Sequence, residues 1–236
     1  MTDTLMGARP RVRASFDRLP ALLELLDGDE KHTGSSLSTI DVVWVLYERI
    51  LRIDPSRPDD PGRDRFYLSK GHGPAATYAI LAAFGFVAEE ALSSFGAFDS
   101  QLGYHPDRVL VPGIEISSGS LGHGLPIALG AALALRAQGN ASSRLVCLLG
   151  DAELDEGSNH EAIALAGRLG VDRLTAVVVD NRSASHGWPG GIERRFTAEG
   201  WTGVTVSGRD HDALETALSA GRSGSPHVVV AVVEAE

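Results

Sequence analysis

The sequence contains a single cysteine, Cys147, among 236 residues. One thiol excludes an internal disulfide and fits a reducing compartment, so we expect a cytoplasmic protein. Cys147 falls inside the apolar run at residues 145–149. A small hydrophobic side chain in such a run is typical of core packing, so we do not expect a reactive thiol.

Long apolar runs and an excess of basic residues are also missing. No run approaches the roughly 20 residues that a membrane span needs, and the N-terminal arginines precede no apolar segment of the kind found in secretory signals. The chain has 21 basic and 31 acidic residues, a net charge of −10. Because nucleic-acid backbones are bound by clustered Lys and Arg, we expect neither nucleic acid nor a membrane as partner.

What the chain does have is an alternation of apolar strand patterns with helical patterns, at 43% hydrophobic residues. This alternation predicts an α/β fold with a parallel sheet covered by helices on both faces. We interpret residues 1–20 as an N-terminal arm and residues 21–236 as one domain. The predicted strands are 65–68, 145–149, 176–179, 202–206 and 227–233, and the predicted helices include 21–26, 88–95, 162–169 and 212–219.

Two helix starts carry a Ser-x-x-acid pattern that is typical of a capping box. The first is Ser38 with Asp41, before a helix that ends ahead of Asp54, and the second is Ser158 with Glu161. Pro74 suits the first turn of another helix, which ends at Gly85. The segment 101–118 holds too many glycines and prolines for regular structure.

Polar residues follow two neighbouring predicted strands where each strand ends. Asp151 comes directly after the first strand, and Asn181 follows the second. In open α/β sheets, ligands bind at the carboxyl ends of the strands. Carboxylate and amide oxygens suit a hard cation such as Mg²⁺, which is often shared with a ligand phosphate. Alone, either residue would more often mark a simple turn.

Several ordered motifs support a more specific interpretation. They are Gly34–Ser38, Leu51–Pro55, Asp64–Gly73, Gly103–Asp107, Ser118–Gly124 and the Gly150-Asp151 pair followed by Asn181. Together they resemble the amino-terminal half of transketolase, a thiamine diphosphate enzyme, over residues 31 to the C-terminus. In some organisms that half is a separate subunit.

The resemblance implies a thiamine diphosphate-binding fold of the diphosphate (PP) type, with a set of site residues. Asp151, the Asn181 side chain and the Ser183 carbonyl would bind Mg²⁺, and His32, His72 and His105 would serve catalysis. Glu156 would lie at the subunit interface that links paired active sites. The cofactor-binding residues would be His72, Gly119, Ser120, Leu121, Gly122, His123, Gly150, Asp151, Ala152, Glu153 and Asn181. Without the resemblance, Glu153 and Asp155 would be interpreted as solvated loop carboxylates. His123 stands where the family commonly has Gln.

The sequence departs from the family in three places. Ala152 replaces the glycine that follows the motif aspartate, and a Cβ there would be strained if the backbone required a positive φ. The chain stops at Glu236, so we expect one family histidine to be absent. Nothing here supplies the pyrimidine-binding domain or its cofactor-activating glutamate. We therefore expect a complementary pyrimidine-binding subunit, in an α2β2 assembly.

The resemblance implies an enzyme that transfers a two-carbon ketol unit from a 2-ketose donor to an acceptor by means of thiamine diphosphate. The acceptor is an aldose phosphate or a carrier-bound group. One alternative is a subunit of a thiamine diphosphate-dependent 2-oxo-acid dehydrogenase or decarboxylase. The other is a non-catalytic scaffolding subunit that keeps the fold, which Ala152 and the short C-terminus leave open.

Overall fold

The computed structural model describes residues 15–26, 33–221 and 224–234. Its described strands form one parallel sheet in the order β1-β2-β3-β5-β4. The strands are β1 (Arg65–Leu68), β2 (Leu145–Gly150), β3 (Leu174–Asp180), β4 (Thr202–Ser207) and β5 (His227–Val232). The predicted parallel α/β sheet is confirmed, and β3 extends beyond the predicted strand at both ends.

Helices connect the strands and cover the sheet. They are α1 (Leu19–Glu24), α2 (Thr33–Leu37), α3 (Ile40–Val45, continued by a π-helical turn at Leu46–Ile50), α4 (Ala75–Phe84), α5 (Gly124–Ala137), α6 (Gly157–Arg168), α7 (Ile192–Thr197) and α8 (His211–Ser219). Short 3₁₀ turns occupy Phe16–Arg18, Glu89–Ser94 and Ala152–Asp155. No helix among the described residues has the length and apolar character to cross a bilayer.

The buried side chains form two apolar layers, one on each face of the sheet. Val146 and Leu148 of β2 pack in the layer beneath α3, α4 and α8, whereas Leu145, Cys147 and Leu149 pack in the layer beneath α5 and α6. This alternation follows from the twofold side-chain period of a strand that is covered on both sides. Burial raises the pKa of the Cys147 thiol well above its ordinary value, as expected for a packing residue.

Both predicted capping boxes are wrong. Neither α3 nor α6 has a side-chain hydrogen bond at its N-cap, and the N-cap residues are Thr39 and Glu156. The Ser38 hydroxyl instead accepts a hydrogen bond from Lys70 Nζ at 2.9 Å, and the Ser158 hydroxyl donates to the Gly122 carbonyl at 2.7 Å. Both serines therefore form tertiary hydrogen bonds rather than the helix caps that the local pattern predicts.

Three other details differ from the sequence predictions. Helices α2 and α7 were not predicted, and residues 89–94 form a 3₁₀ turn rather than an α-helix. Residues 1–14 of the predicted arm lie outside the described residues, but Leu19 is fully buried in the core. Packing therefore begins before the predicted boundary at residue 20. The segment 101–118 lacks helix and strand, as predicted.

Candidate active site

The carboxyl ends of β1, β2 and β3 lie side by side and present polar residues to the same edge of the sheet. The backbone N–H of Asp151 donates to the Val179 carbonyl at 3.0 Å, which extends the pairing of β2 with β3 by one residue. On the other side of β2, the N–H groups of Ser69 and Lys70 donate to the Leu148 carbonyl at 2.9 and 3.1 Å. The sheet therefore brings the predicted strand-end residues together.

Asp151 is almost fully buried, at 1% exposure. One carboxylate oxygen accepts the Ser183 hydroxyl at 2.6 Å, and the other accepts the Ala184 N–H at 3.0 Å. The loop that follows β3 thus folds back over the end of β2. Two of the three predicted metal ligands, Asp151 and Ser183, are therefore in contact, and Asn181 begins the same loop directly after β3.

Asn181 supplies a side-chain oxygen that lacks a hydrogen-bond partner among the described residues, although the residue is only 3% exposed. Leaving a buried acceptor unsatisfied costs about 1–3 kcal/mol. Beside a buried carboxylate, such an oxygen fits an oxygen-preferring cation such as Mg²⁺. The described residues contain no cluster of three His, Cys, Asp or Glu side chains that could hold a metal. The site proposed here is of a different kind, because Asp151 is its only ligand of those four residue types and the other ligands are an amide oxygen and a backbone carbonyl.

Ala152 occupies its position without backbone strain. It begins a 3₁₀ turn, and its φ is not in the positive range. A Cβ is therefore compatible with the backbone, because only the left-handed region penalises an alanine. The replacement of the family glycine leaves the backbone N–H beside Asp151 in place.

The Gly119–Gly124 segment lies against the other site loops. Gly119 has φ 140° and Gly122 has φ 83°, values that favour glycine. A Cβ at Gly119 would lie 3.0 Å from the His105 ring, and one at Gly122 would lie 2.6 Å from the Glu156 Cβ. The segment can approach these neighbours only because it lacks side chains at both positions.

Two of the three predicted catalytic histidines are neighbours. The rings of His72 and His105 are perpendicular, with centroids 5.4 Å apart. His105 Nδ1 donates to the Gly71 carbonyl at 3.0 Å, which fixes its tautomer and leaves Nε2 for other contacts. His32 lies outside the described residues. His123 stands at the N-terminal boundary of α5 with its side chain exposed.

Glu153 is not a solvated carboxylate, and its oxygens are directed at protein donors rather than at open space. The residue is 1% exposed, and it accepts hydrogen bonds from the Ser69 hydroxyl, the Gly122 N–H and the Gly150 N–H. Burial raises the pKa of this carboxyl, and those hydrogen bonds oppose the rise. The prediction that Glu153 contacts the cofactor therefore finds no support in the geometry.

Sequence reasoning missed Lys70. Its side chain is 8% exposed, and its ammonium donates to the Ser38 hydroxyl at 2.9 Å. Its aliphatic stem passes over Gly150, where a Cβ would lie 3.5 Å away. A lysine two residues after a buried strand, at the carboxyl edge of the sheet, was the signal that could have found it. By contrast, Glu156 is exposed at the start of α6.

Comparison with protein families gives one match that covers most of the chain. Residues 16–232 match the family described as transketolase, thiamine diphosphate binding domain. The match includes every described segment that contributes to the strand-end site.

Individual relatives point to the same family. The chain is 52% identical over 219 residues to a Rhodococcoides fascians protein named ferredoxin fas2, covering 93% of this chain and 72% of that protein. It is 36% identical over 207 residues to an Actinobacillus succinogenes protein named as one subunit of apulose-4-phosphate transketolase, covering 85% and 75%. Among solved structures, a transketolase from Campylobacter jejuni superposes with a TM-score of 0.77 at 25% identity. That alignment covers 93% of this chain but 38% of the transketolase.

Proposed function

Because this chain belongs to the transketolase family through its thiamine diphosphate binding domain, we propose that it is the diphosphate-binding subunit of a split transketolase-like enzyme. The enzyme transfers a two-carbon ketol unit from a 2-ketose donor to an acceptor. The Actinobacillus succinogenes relative supports the split organisation, since it is named as one subunit of a transketolase and the alignment covers 75% of it.

The observation that carries the proposal is the pair of buried oxygen donors at adjacent strand ends. Asp151 and the unpartnered Asn181 oxygen, with the Ser183 carbonyl, would hold Mg²⁺ and through it the diphosphate. The Gly119–Gly124 segment and the Ala152 N–H would line the diphosphate and the adjoining ring. Backbone N–H groups near a helix start favour anions.

Thiamine diphosphate supplies the carbanion chemistry when it is bound. The residues of this chain orient the donor and move protons. His105, with His32, would bind donor hydroxyl groups, and His72 would reach the diphosphate. The bond from His105 Nδ1 to the Gly71 carbonyl leaves Nε2 as a proton acceptor. The protein is expected in the cytoplasm, where a lone buried thiol such as Cys147 stays reduced.

The partner is a complementary transketolase subunit that carries the pyrimidine-binding domain, in an α2β2 assembly. The residues of this chain would form the diphosphate end of the site, and the partner would supply the glutamate that activates the cofactor. Glu156 is exposed beside Gly122, which suits its proposed place at the interface between paired sites.

The Rhodococcoides fascians relative is named a ferredoxin, but that name does not describe the region that it shares with this chain. Iron–sulfur clusters of ferredoxins are bound by several cysteine thiolates. The 236 residues contain only Cys147, and it is buried within β2. The shared region therefore corresponds to the transketolase domain and not to a cluster-binding one.

The reaction is tested with the complex of this chain and its complementary subunit. We expect glyceraldehyde 3-phosphate to be released from xylulose 5-phosphate in the presence of an aldose acceptor, thiamine diphosphate and Mg²⁺. The same complex is assayed for decarboxylation of pyruvate. Decarboxylation of pyruvate without any release of glyceraldehyde 3-phosphate would contradict the transketolase proposal and favour a 2-oxo-acid enzyme.

A further inference from the structure

Glu153 lies where three site segments meet. Its Oε1 accepts hydrogen bonds from the Ser69 hydroxyl, which follows β1, and from the Gly122 N–H at 2.9 Å. Its Oε2 faces the Gly150 N–H, at the end of β2, at 3.4 Å. One carboxylate thus connects the Gly119–Gly124 segment to the ends of two neighbouring strands.

The Ser69 hydroxyl extends this connection to helix α5. It donates to Glu153 and accepts a hydrogen bond from the Gly124 N–H at 3.0 Å. Gly124 is the first residue of α5. The two N–H groups at Gly122 and Gly124 therefore both depend on the Glu153 carboxylate, one directly and one through Ser69.

The backbone of Glu153 is fixed from the opposite side. Its carbonyl accepts a hydrogen bond from Asn159 Nδ2 at 2.7 Å, and Asn159 is fully buried in α6. The residue is therefore held at both its main chain and its side chain. A rigid, buried acceptor of this kind can set the position of the loops that donate to it.

We propose that Glu153 is a positioning residue that holds the Gly119–Gly124 segment and the Ser69–Gly73 segment in the arrangement that receives the cofactor diphosphate. It does so without touching the cofactor. This inference rests on the proposed function, because the two segments are those assigned to the diphosphate and to His72. Pre-organised loops bind a ligand more tightly because less conformational entropy is lost on binding.

The substitution that tests the inference is Glu153→Gln, which keeps the shape but has only one acceptor atom at its end. The glutamine side chain therefore cannot accept hydrogen bonds both from Ser69 and Gly122, at the position of Oε1, and from Gly150, at the position of Oε2. In the complex with the complementary subunit, we expect the KM for thiamine diphosphate at saturating Mg²⁺ to rise by about 10-fold or more, as is typical when a group supporting a binding residue is lost. At saturating cofactor, kcat should stay within about twofold of the parent value, because Glu153 touches no reacting atom.

Hydrogen exchange of the chain without cofactor provides a readout that is independent of activity. We expect faster exchange in peptides covering residues 69–73 and 119–124 for Glu153→Gln. Ser69→Ala removes the hydroxyl that links Glu153 to Gly124 but leaves the bond from the Gly122 N–H to Glu153. It should therefore accelerate exchange at the start of α5 and raise the KM less. The matched control is Glu161→Gln, because Glu161 is an exposed carboxylate of α6. This substitution should change neither the KM for thiamine diphosphate nor the exchange of the two segments.

Three outcomes would overturn the inference. One is an unchanged KM for thiamine diphosphate, and another is unchanged exchange in both segments. The third is a large loss of kcat at saturating cofactor with an unchanged KM, which would place Glu153 among the catalytic groups. If the parent complex binds no thiamine diphosphate, the proposed function fails. The exchange measurement would then still report separately whether Glu153 holds the two segments.

Discussion

Asn181 keeps a side-chain oxygen that is buried and has no hydrogen-bond partner in the described part of the chain. Natural proteins pair nearly all such groups, so each exception needs a physical reason. A cation that binds this oxygen together with Asp151 would remove the cost of leaving it unsatisfied. The unsatisfied oxygen is therefore the residue-level feature that best fits Mg²⁺.

Asn181→Ala should separate ligand binding from folding. The change removes the orphaned oxygen, so we expect the free energy of unfolding without metal to fall by less than about 1 kcal/mol. The Mg²⁺-dependent affinity for thiamine diphosphate should fall by about 10-fold or more, because a metal ligand is lost. Chemical denaturation and calorimetry measure the two quantities. A large loss of stability with unchanged affinity would assign Asn181 a structural role instead.

Ala152→Gly should restore the family glycine with little benefit. Ala152 lies in a 3₁₀ turn without positive φ, so no strain is relieved by removing its Cβ. We expect cofactor affinity to change by less than about threefold and stability to fall by about 0.5–1 kcal/mol, because glycine loses more backbone freedom on folding. Binding that becomes tenfold tighter would show that the Cβ obstructs the diphosphate.

The site residues differ in how far the sequence could reveal them. Asp151, Asn181, His72 and His105 stand in recognisable local motifs, so their places could be predicted. Glu153 could not be understood in this way, because its partners Ser69 and Gly122 are 84 and 31 residues distant in the chain. A carboxylate among loop residues resembles a solvated one until the fold buries it.

At the scale of elements, the strands were predicted better than the helix starts. Buried parallel strands are continuous apolar runs, and this signal is contained within each segment. A capping box is equally local, but it competes with tertiary partners for the serine hydroxyl. The Ser38 hydroxyl bonds to Lys70 and the Ser158 hydroxyl bonds to the Gly122 carbonyl. The local pattern could not predict these tertiary hydrogen bonds.

Helix α5 offers a matched pair of glycines for a test of loop packing. A Cβ at Gly124 would overlap the Ser69 side chain, whereas one at Gly130 would meet nothing within 4 Å. We expect Gly124→Ala to destabilise the protein by about 1–3 kcal/mol through overpacking. Gly130→Ala should stabilise it by about 1 kcal/mol through helix propensity.

Thermal and chemical unfolding of both variants test this contrast. Gly124→Ala should also weaken cofactor binding, because the first turn of α5 must move away from Ser69. Equal stability of the two variants would mean that the Gly119–Gly124 segment is not held against the end of β1.

At the scale of the whole molecule, the fold provides one side of the proposed active site. The two apolar layers fix five described parallel strands, and the ends of β1, β2 and β3 carry the proposed metal and diphosphate ligands. The similarity to a solved transketolase covers 38% of that protein. In our proposal the complementary subunit would complete the site, so we expect ketol transfer only from the complex of the two chains.

The complex assay has a direct control in the separated chains. Each chain alone, with thiamine diphosphate and Mg²⁺, should release no glyceraldehyde 3-phosphate from xylulose 5-phosphate above background. Mixing the chains should restore the reaction, with a rate that saturates as the partner concentration rises. Turnover by this chain alone would contradict the proposed division of the site.

The central claim is that Asp151 and its neighbours hold thiamine diphosphate through Mg²⁺. It is tested most directly by calorimetric titration of thiamine diphosphate into the complex, with and without Mg²⁺, for the parent chain and for Asp151→Ala. We predict binding by the parent that requires Mg²⁺, and loss of that Mg²⁺-dependent affinity in Asp151→Ala, because the one carboxylate of the donor set is removed. Binding that is unchanged by the substitution, or no binding by the parent complex, would contradict the claim.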